Sequence, residues 1–527
     1  MSNSQLKLTE SKQLNEFIEN YSKAVTEKEK DKVWESVTTP FIEVINNDDT
    51  NQMVTFIYRV DQKDVQPINI YLYSSVVPLF SEQSKLLKVP ETDIYYLRLV
   101  LPSSLRTTYS FLYLTDTQIK DENIPDDPVI PMLTGDFKKK HILLSQLYAN
   151  NKVETDPRNK QKIVYYMDWE LKDIFSVESI LELPSAPKQL YIPTIEQIKE
   201  ERNTLRSEKR FTEHLLSFSD TSLKTQKDYL NQVRKYWIYL PKDYDSKQQY
   251  PLILFLDGSY FIDPIPTPSI LERMINQNEI SSSIAVFLDC SSERRQQEYY
   301  CDAKFTQFLI EDFIPILREK HSLSITRDAS LTTIVGLSAS GLAAFYVALR
   351  YPNIFGNVIT YSASFNDKKQ FELEKLIDEF VNKQIKTHFI MKAGSFETQP
   401  IALQFPDNSK QNLSPNEANK TAYSYLIQHG ANATFHEFVG GHNFVCWRGL
   451  ISEDLKHIYK VAEAKLTYDE SQVKAPLISK SEADREVPST LDSPVSKAEA
   501  NTSESIRDKE KNSASNSDGS TRTRGLS

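Results

Sequence analysis

Residues 332–352 read TTIVGLSASGLAAFYVALRYP, which sets a serine on a sharp turn between an apolar strand and an apolar helix. Thr332 to Val335 is short, β-branched and bounded by glycine, the composition of a buried central strand. From Leu342 onward, Leu342, Phe345 and Leu349 recur at helical spacing until Pro352 ends the run. Between them Gly336 to Gly341 fits G-x-S-x-[small]-G. Small residues flank the serine of such a nucleophile elbow because strand and helix backbones nearly touch there. Ser338 is therefore the candidate nucleophile.

Glycine use supports this reading. Only 12 of 527 residues are glycine, well under the usual share of about 7%. Gly135 alone precedes position 258, whereas Gly258, Gly336, Gly341, Gly394, Gly440 and Gly441 fall where an α/β-hydrolase needs its oxyanion, elbow, acid and histidine loops. A chain this sparing of glycine keeps it where the backbone approaches something closely.

Working outward from the elbow, Val233–Leu240, Leu252–Leu256, Ile284–Leu288, Val358–Tyr361 and Thr387–Met391 read as further strands. Helical stretches alternate with them, which predicts a mostly parallel sheet covered on both faces. Upstream, Met53–Val60, Ile68–Tyr73, Asp93–Leu101, Thr107–Leu114 and Lys162–Trp169 are rich in β-branched and aromatic residues at short spacing, the pattern of a β-sandwich. The expected organisation is a polar helical lead-in over residues 1–40, a β-sandwich over 41–190 and a linker or lid over 191–227. An α/β-hydrolase domain follows over 228–468, then a tail over 469–527. The tail is rich in Ser, Glu, Lys, Asp and Asn with almost no aromatics, so it is expected to be disordered. A recruitment or secretion role and an inert extension are both open for it.

A serine hydroxyl needs a base within reach and an acid that fixes the base's tautomer, in the chain order Ser, acid, His. His442 follows Phe438-Val439-Gly440-Gly441, a strand end and a glycine pair, and is the candidate base, with His436 the fallback. His388, His429 and His457 sit in strand or helix patterns and read as structural. The strand Thr387–Met391 leads through Gly394 to Glu397, the candidate acid, with Asp407 a rival. For the oxyanion, one N–H donor is expected from Ala339 and the second from the loop after Leu252–Leu256, at Gly258 or Ser259.

A net charge of -10 without a basic block speaks against a general nucleic-acid surface. Cys290, Cys301 and Cys446 are few, odd in number and widely spaced, so neither a disulfide framework nor a zinc cluster is expected. No G-x-x-x-x-G-K-[ST] loop, H-E-x-x-H helix or G-x-G-x-x-G after a strand stands out, and no bound cofactor or metal is implied. The N-terminus lacks the apolar core of a signal peptide, and no apolar run is long enough to span a bilayer. The expectation is a soluble, cytoplasmic protein with a small-molecule ester as its partner and the tail as a second, unassigned contact surface.

Leu256-Asp257-Gly258, Arg295-Gln296-Gln297-Glu298, the Gly336–Gly341 elbow and above all Gly440-Gly441-His442-Asn443-Phe444-Val445-Cys446-Trp447-Arg448-Gly449 together resemble the enterochelin (enterobactin) esterases, within the esterase D-like α/β-hydrolases. The likeness extends to Met53–Arg59, Pro90–Asp93, Leu105–Tyr109, Asp156–Asn159 and Leu181–Pro187, which look like the family's N-terminal β-sandwich domain. The resemblance implies a serine esterase that opens the ester bonds of a catecholate trilactone, ferric or iron-free, through an acyl-enzyme. It supports Ser338, Glu397 and His442 as the triad and places Arg295 and Arg448 near the substrate. Trp447 would stack on a catechol or pack its loop, and Arg295 would meet the trianionic ferric centre or hold its loop through Glu298. Ser340 departs from the glycine usual two residues after the nucleophile, and the tail is not a family feature. An esterase for another acyl ester, with export through the tail, and a non-catalytic binding protein on the same scaffold remain the alternatives.

Overall fold

The computed structural model describes residues 11–60, 68–115, 143–144, 146–148, 152–166, 174–216, 233–290, 292–365, 370–382, 386–399, 401–404 and 410–459. The expected tail over 469–527 and the rival acid Asp407 lie outside them.

The first strands are β1 (Phe41–Ile45), β2 (Asp48–Arg59), β3 (Ile68–Tyr73), β4 (Leu87–Lys88), β5 (Ile94–Pro102), β6 (Arg106–Thr115), β7 (Val153–Glu154), β8 (Lys162–Tyr166) and β9 (Ile174–Glu182). They make two antiparallel sheets, ordered β1-β2-β5-β4 and β3-β6-β9-β8, with β7 added on β6. Alternate residues turn inward, so Val54, Phe56 and Tyr58 of β2 pack against Ile70, Leu72, Tyr109, Phe111 and Leu181 of the facing sheet. In the lead-in, the helix Lys12–Lys23 presents Leu14, Phe17 and Tyr21 to Phe41, Ile57 and Ile94.

The second domain is built on β10 (Phe211–Leu216), β11 (Arg234–Tyr239), β12 (Leu252–Leu256), β13 (Ile284–Leu288), β14 (Thr332–Leu337), β15 (Asn357–Tyr361) and β16 (His388–Gly394). A hairpin of β17 (Ile401–Gln404) and β18 (Lys410–Leu413) precedes the last strand, β19 (Asn432–Phe438). The eight-stranded order is β10-β11-β13-β12-β14-β15-β16-β19. β10 and β11 run antiparallel at one edge, and every pair from β13 to β19 is parallel. With the sandwich before it, this is the α/β-hydrolase architecture expected from the sequence.

Both faces of the central strands are covered, and their side chains divide by parity. Leu252, Leu254 and Leu256 join a core with Ile284, Val286, Leu288 and the helix Ser338–Arg350. Ile253 and Phe255 join another with Ala285, Phe287, Val335 and Ile359. This is why the parallel strands read as continuous apolar runs.

One boundary differs from expectation. β10 lies inside the stretch read as a linker or lid. A helix occupies Ile195–Ser207, and after it Phe211 and Leu216 are buried at the sheet edge, with Phe211 opposite Tyr239. Six residues facing a neighbouring strand are too few for periodicity to separate from the preceding helix.

Leu254 is fully buried in the sheet centre. Leu254→Ala should destabilise the domain by roughly 3 kcal/mol, on the order of 5–10 °C in melting temperature. A thermal melt that moves by less than about 2 °C would contradict this packing.

Candidate active site

Three adjacent strand ends leave the sheet through residues in the left-handed region. Asp257 after β12, Ser338 after β14 and Ser362 after β15 have φ of 59°, 51° and 49°. Such geometry is unfavourable for residues with a Cβ, and here each turn throws a functional side chain clear of its strand. At the elbow a Cβ on Gly336 would overlap the Ser340 carbonyl, so only glycine lets strand and helix cross. Ser340, the departure from the usual glycine, is buried and straps the turn. Its Oγ donates to the Leu337 carbonyl at 2.8 Å and accepts from the Leu337 amide at 3.0 Å. The Ser338 hydroxyl lies 3.5 Å from Ser364 Oγ, and the Ser364 amide donates to the Ser338 carbonyl at 3.0 Å. The Ala339 amide stands in the first turn of its helix, where backbone N–H groups have no acceptor within the helix.

Two strands away, Glu397 closes the turn after β16 with its side chain 1% exposed. Its Oε1 accepts from the Gly394 amide at 2.8 Å and from Ser362 Oγ at 2.5 Å, and its Oε2 meets His442 Nδ1 at 2.9 Å. An ionised carboxylate only accepts, so His442 Nδ1 carries the proton and Nε2 is left as the basic nitrogen. The sequence-selected acid and base are thus paired, at the same carboxyl end of the parallel strands as the elbow serine. His436 instead sits within β19 opposite Lys392, where burial and the Lys392 charge lower its pKa.

The loop carrying His442 is docked on the sandwich. A Cβ at Gly441 would overlap Ser75. Asn443 caps the short helix Phe444–Trp447 and donates to Thr107 Oγ1 at 3.0 Å. Cys446 Sγ donates to the Arg106 carbonyl at 3.1 Å, and burial pushes this thiol up to about 12.

The model of putative esterases matches residues 228–458, and that of the enterochelin esterase N-terminal domain matches residues 53–191. The chain carries an enterochelin esterase N-terminal domain followed by an esterase domain. The iron(III) enterobactin esterase of Dickeya dadantii is 25% identical over 234 residues, 44% of this chain and 52% of the relative. That of Escherichia coli K12 is 23% identical over 238 residues, 44% and 55%. With these two the chain matches about half the relative's length. The iron(III) salmochelin esterase of E. coli O6:H1 is 22% identical over 423 residues, 80% of this chain and 91% of the relative. Among solved structures, the ferric enterobactin esterase of Salmonella typhimurium superposes with a TM-score of 0.60 at 21% identity, covering 82% of this chain and 99% of that one. The enterobactin esterase of Shigella flexneri, crystallised with 2,3-di-hydroxy-N-benzoyl-glycine, gives 0.56 at 20%, covering 82% and 98%. At that identity the likeness is one of fold.

Of the remaining family positions, Arg295 has a different partner from the one the sequence suggests. Arg295 pairs with Asp257, not Glu298, with Nη2 at 2.8 Å from Oδ2 and the guanidinium against Tyr260 and Tyr299. Glu298 is buried on Arg234. Ser259 gives its hydroxyl to Asp289 Oδ1 at 2.8 Å and its amide to the same oxygen at 3.4 Å. Of the two candidates in that loop, Ser259 thus has both its amide and its hydroxyl engaged. Trp447 is 2% exposed and its N–H is bonded to Ser362 Oγ at 3.0 Å, so it packs its loop. Arg448 donates from Nε to the neutral amide of Gln189 at 2.9 Å, and burial pushes its pKa down to about 10, with Arg106 adding to the effect and Tyr165 opposing it. Sequence reasoning missed Ser362, Gln189 and Ser75. Only Ser362 left a signal, as a small polar residue at a strand end. Among the described residues no group of three or more His, Cys, Asp or Glu is placed to hold a metal, and no helix is long and apolar enough to cross a membrane.

Beside the histidine loop, Phe444 touches Tyr165 and Tyr260 at ring distances of 5.6 and 5.1 Å, and Tyr165 donates to Glu178 Oε2 at 2.8 Å. Burial raises the Glu178 pKa, against the hydrogen bonds from Tyr165 and Thr108. A carboxyl raised on folding holds its proton more tightly in the native state. The stability it contributes is complete below the ordinary glutamate value and is lost as pH rises through the folded one. Glu178→Gln should match wild type in melting temperature near pH 4 and exceed it near pH 8. A difference that does not change with pH would refute this assignment.

Proposed function

We propose that this chain is a serine esterase that hydrolyses the ester bonds of a catecholate siderophore, an enterobactin-like trilactone, by a Ser338–His442–Glu397 triad through an acyl-enzyme. The single observation that carries the reading is the Glu397–His442 hydrogen bond at the carboxyl ends of the parallel strands, the end from which the elbow presents Ser338. The match to the enterochelin esterase N-terminal domain supports the substrate class, as do the relatives named for iron(III) enterobactin and salmochelin.

In the proposed reaction Ser338 turns from Ser364 toward His442 Nε2, which takes its proton as Oγ bonds to the ester carbonyl carbon. Glu397 holds the imidazolium through Nδ1. The oxyanion is received by the Ala339 and Gly258 amides. Collapse breaks the ester C–O bond, and the departing seryl hydroxyl takes the proton from Nε2. Water, deprotonated by the same nitrogen, then attacks the acyl-enzyme and returns Ser338 free. Arg448, held by a neutral amide at the domain junction, offers positive charge to an anionic substrate, ferric or iron-free.

Incubated with the trilactone, purified wild type should release dihydroxybenzoyl-serine. Ser338→Ala and His442→Ala should lower kcat/KM by roughly 10⁴-fold or more, and Glu397→Gln by about 10²- to 10⁴-fold. Intact trilactone together with turnover of simple aryl esters would remove this substrate and keep the esterase.

A further inference from the structure

The Ser362 hydroxyl makes two hydrogen bonds whose direction is forced. An indole N–H only donates and a carboxylate only accepts. Trp447 Nε1–H therefore gives its proton to Ser362 Oγ at 3.0 Å, and Ser362 O–H can only point at Glu397 Oε1, 2.5 Å away. The same indole meets the His442 ring edge-on, with centroids 4.8 Å apart and planes at 85°. Trp447, Ser362, Glu397 and His442 thus close a ring of contacts in which one end of the carboxylate is oriented by the chain from β15 and the imidazole is braced by its own loop.

We infer that Ser362 and Trp447 are positioning residues that act as a unit, aiming Glu397 at His442 Nδ1 and holding the imidazole with Nε2 toward Ser338. This rests on the triad proposed above and adds two members to it. Without the Ser362 donor the Glu397 carboxylate keeps its charge less screened and freer to rotate, which both loosens the imidazole and favours its protonated form.

The test follows the rate at which a fluorophosphonate labels Ser338 in the full-length protein across pH, so no natural substrate is required. Ser362→Gly suits the left-handed backbone at φ 49° and so removes the hydroxyl without adding strain. Its labelling rate should fall roughly 10- to 100-fold. The acid limb of its pH profile should move to higher pH by about half a unit or more. Trp447→Phe keeps an aromatic ring and loses the N–H, with an expected fall of about 3- to 10-fold. Because the pair acts through one carboxylate, the double variant should be no worse than Ser362→Gly within about twofold. An unmoved acid limb, or losses that multiply in the double variant, would overturn the inference and leave the triad standing. Wild type that the phosphonate never labels would remove both.

Discussion

A carboxylate with 1% side-chain exposure survives in a protein interior only when its lone pairs are filled. Glu397 meets that requirement with the Gly394 amide, the Ser362 hydroxyl and the His442 imidazole. These come from its own turn, from the end of β15 and from the loop after β19. Satisfying one charge therefore gathers three chain segments to a single point, next to the strand that ends in Ser338. The turn, the neighbouring strand end and the loop all take their positions from this constraint.

The histidine loop has a second set of anchors that explains its composition. Gly441 fits against Ser75, Asn443 reaches Thr107, Cys446 reaches the Arg106 carbonyl and Arg448 reaches Gln189. Most of these partners belong to the sandwich or to the chain leaving it. The sandwich thus takes part in placing the imidazole, and removing it would leave the loop without most of its polar contacts. This is a physical reason for the two domains to occur together, beyond any part the sandwich has in enclosing a ligand.

Local pattern made much of this legible. The elbow, the parallel strands and the Gly440–Gly449 string could be read because each depends on neighbours within a few residues. What local pattern could not supply was partner choice. Arg295 has a carboxylate three residues away in Glu298, yet it pairs with Asp257, 38 positions earlier, because the strand end brings that group under the guanidinium. Trp447 reads in sequence as either a ligand platform or loop packing, and only the fold gives its buried N–H a partner in Ser362. Ser259 looks like an oxyanion donor and is held by Asp289. β10 was hidden because a six-residue edge strand follows a charged helix with only a short turn between them.

The sequence alone determined the fold class and the elbow that carries Ser338, since strand and helix periodicity and the steric need for Gly336 are properties of consecutive residues. It also narrowed the base and acid to His442 and Glu397 through their order along the chain. Only the tertiary structure decided which groups share a proton, because hydrogen bonds act over about 3 Å between residues dozens to hundreds of positions apart. That proximity is set by the register of β14, β15, β16 and β19 and by the sandwich surface against which the last loop closes.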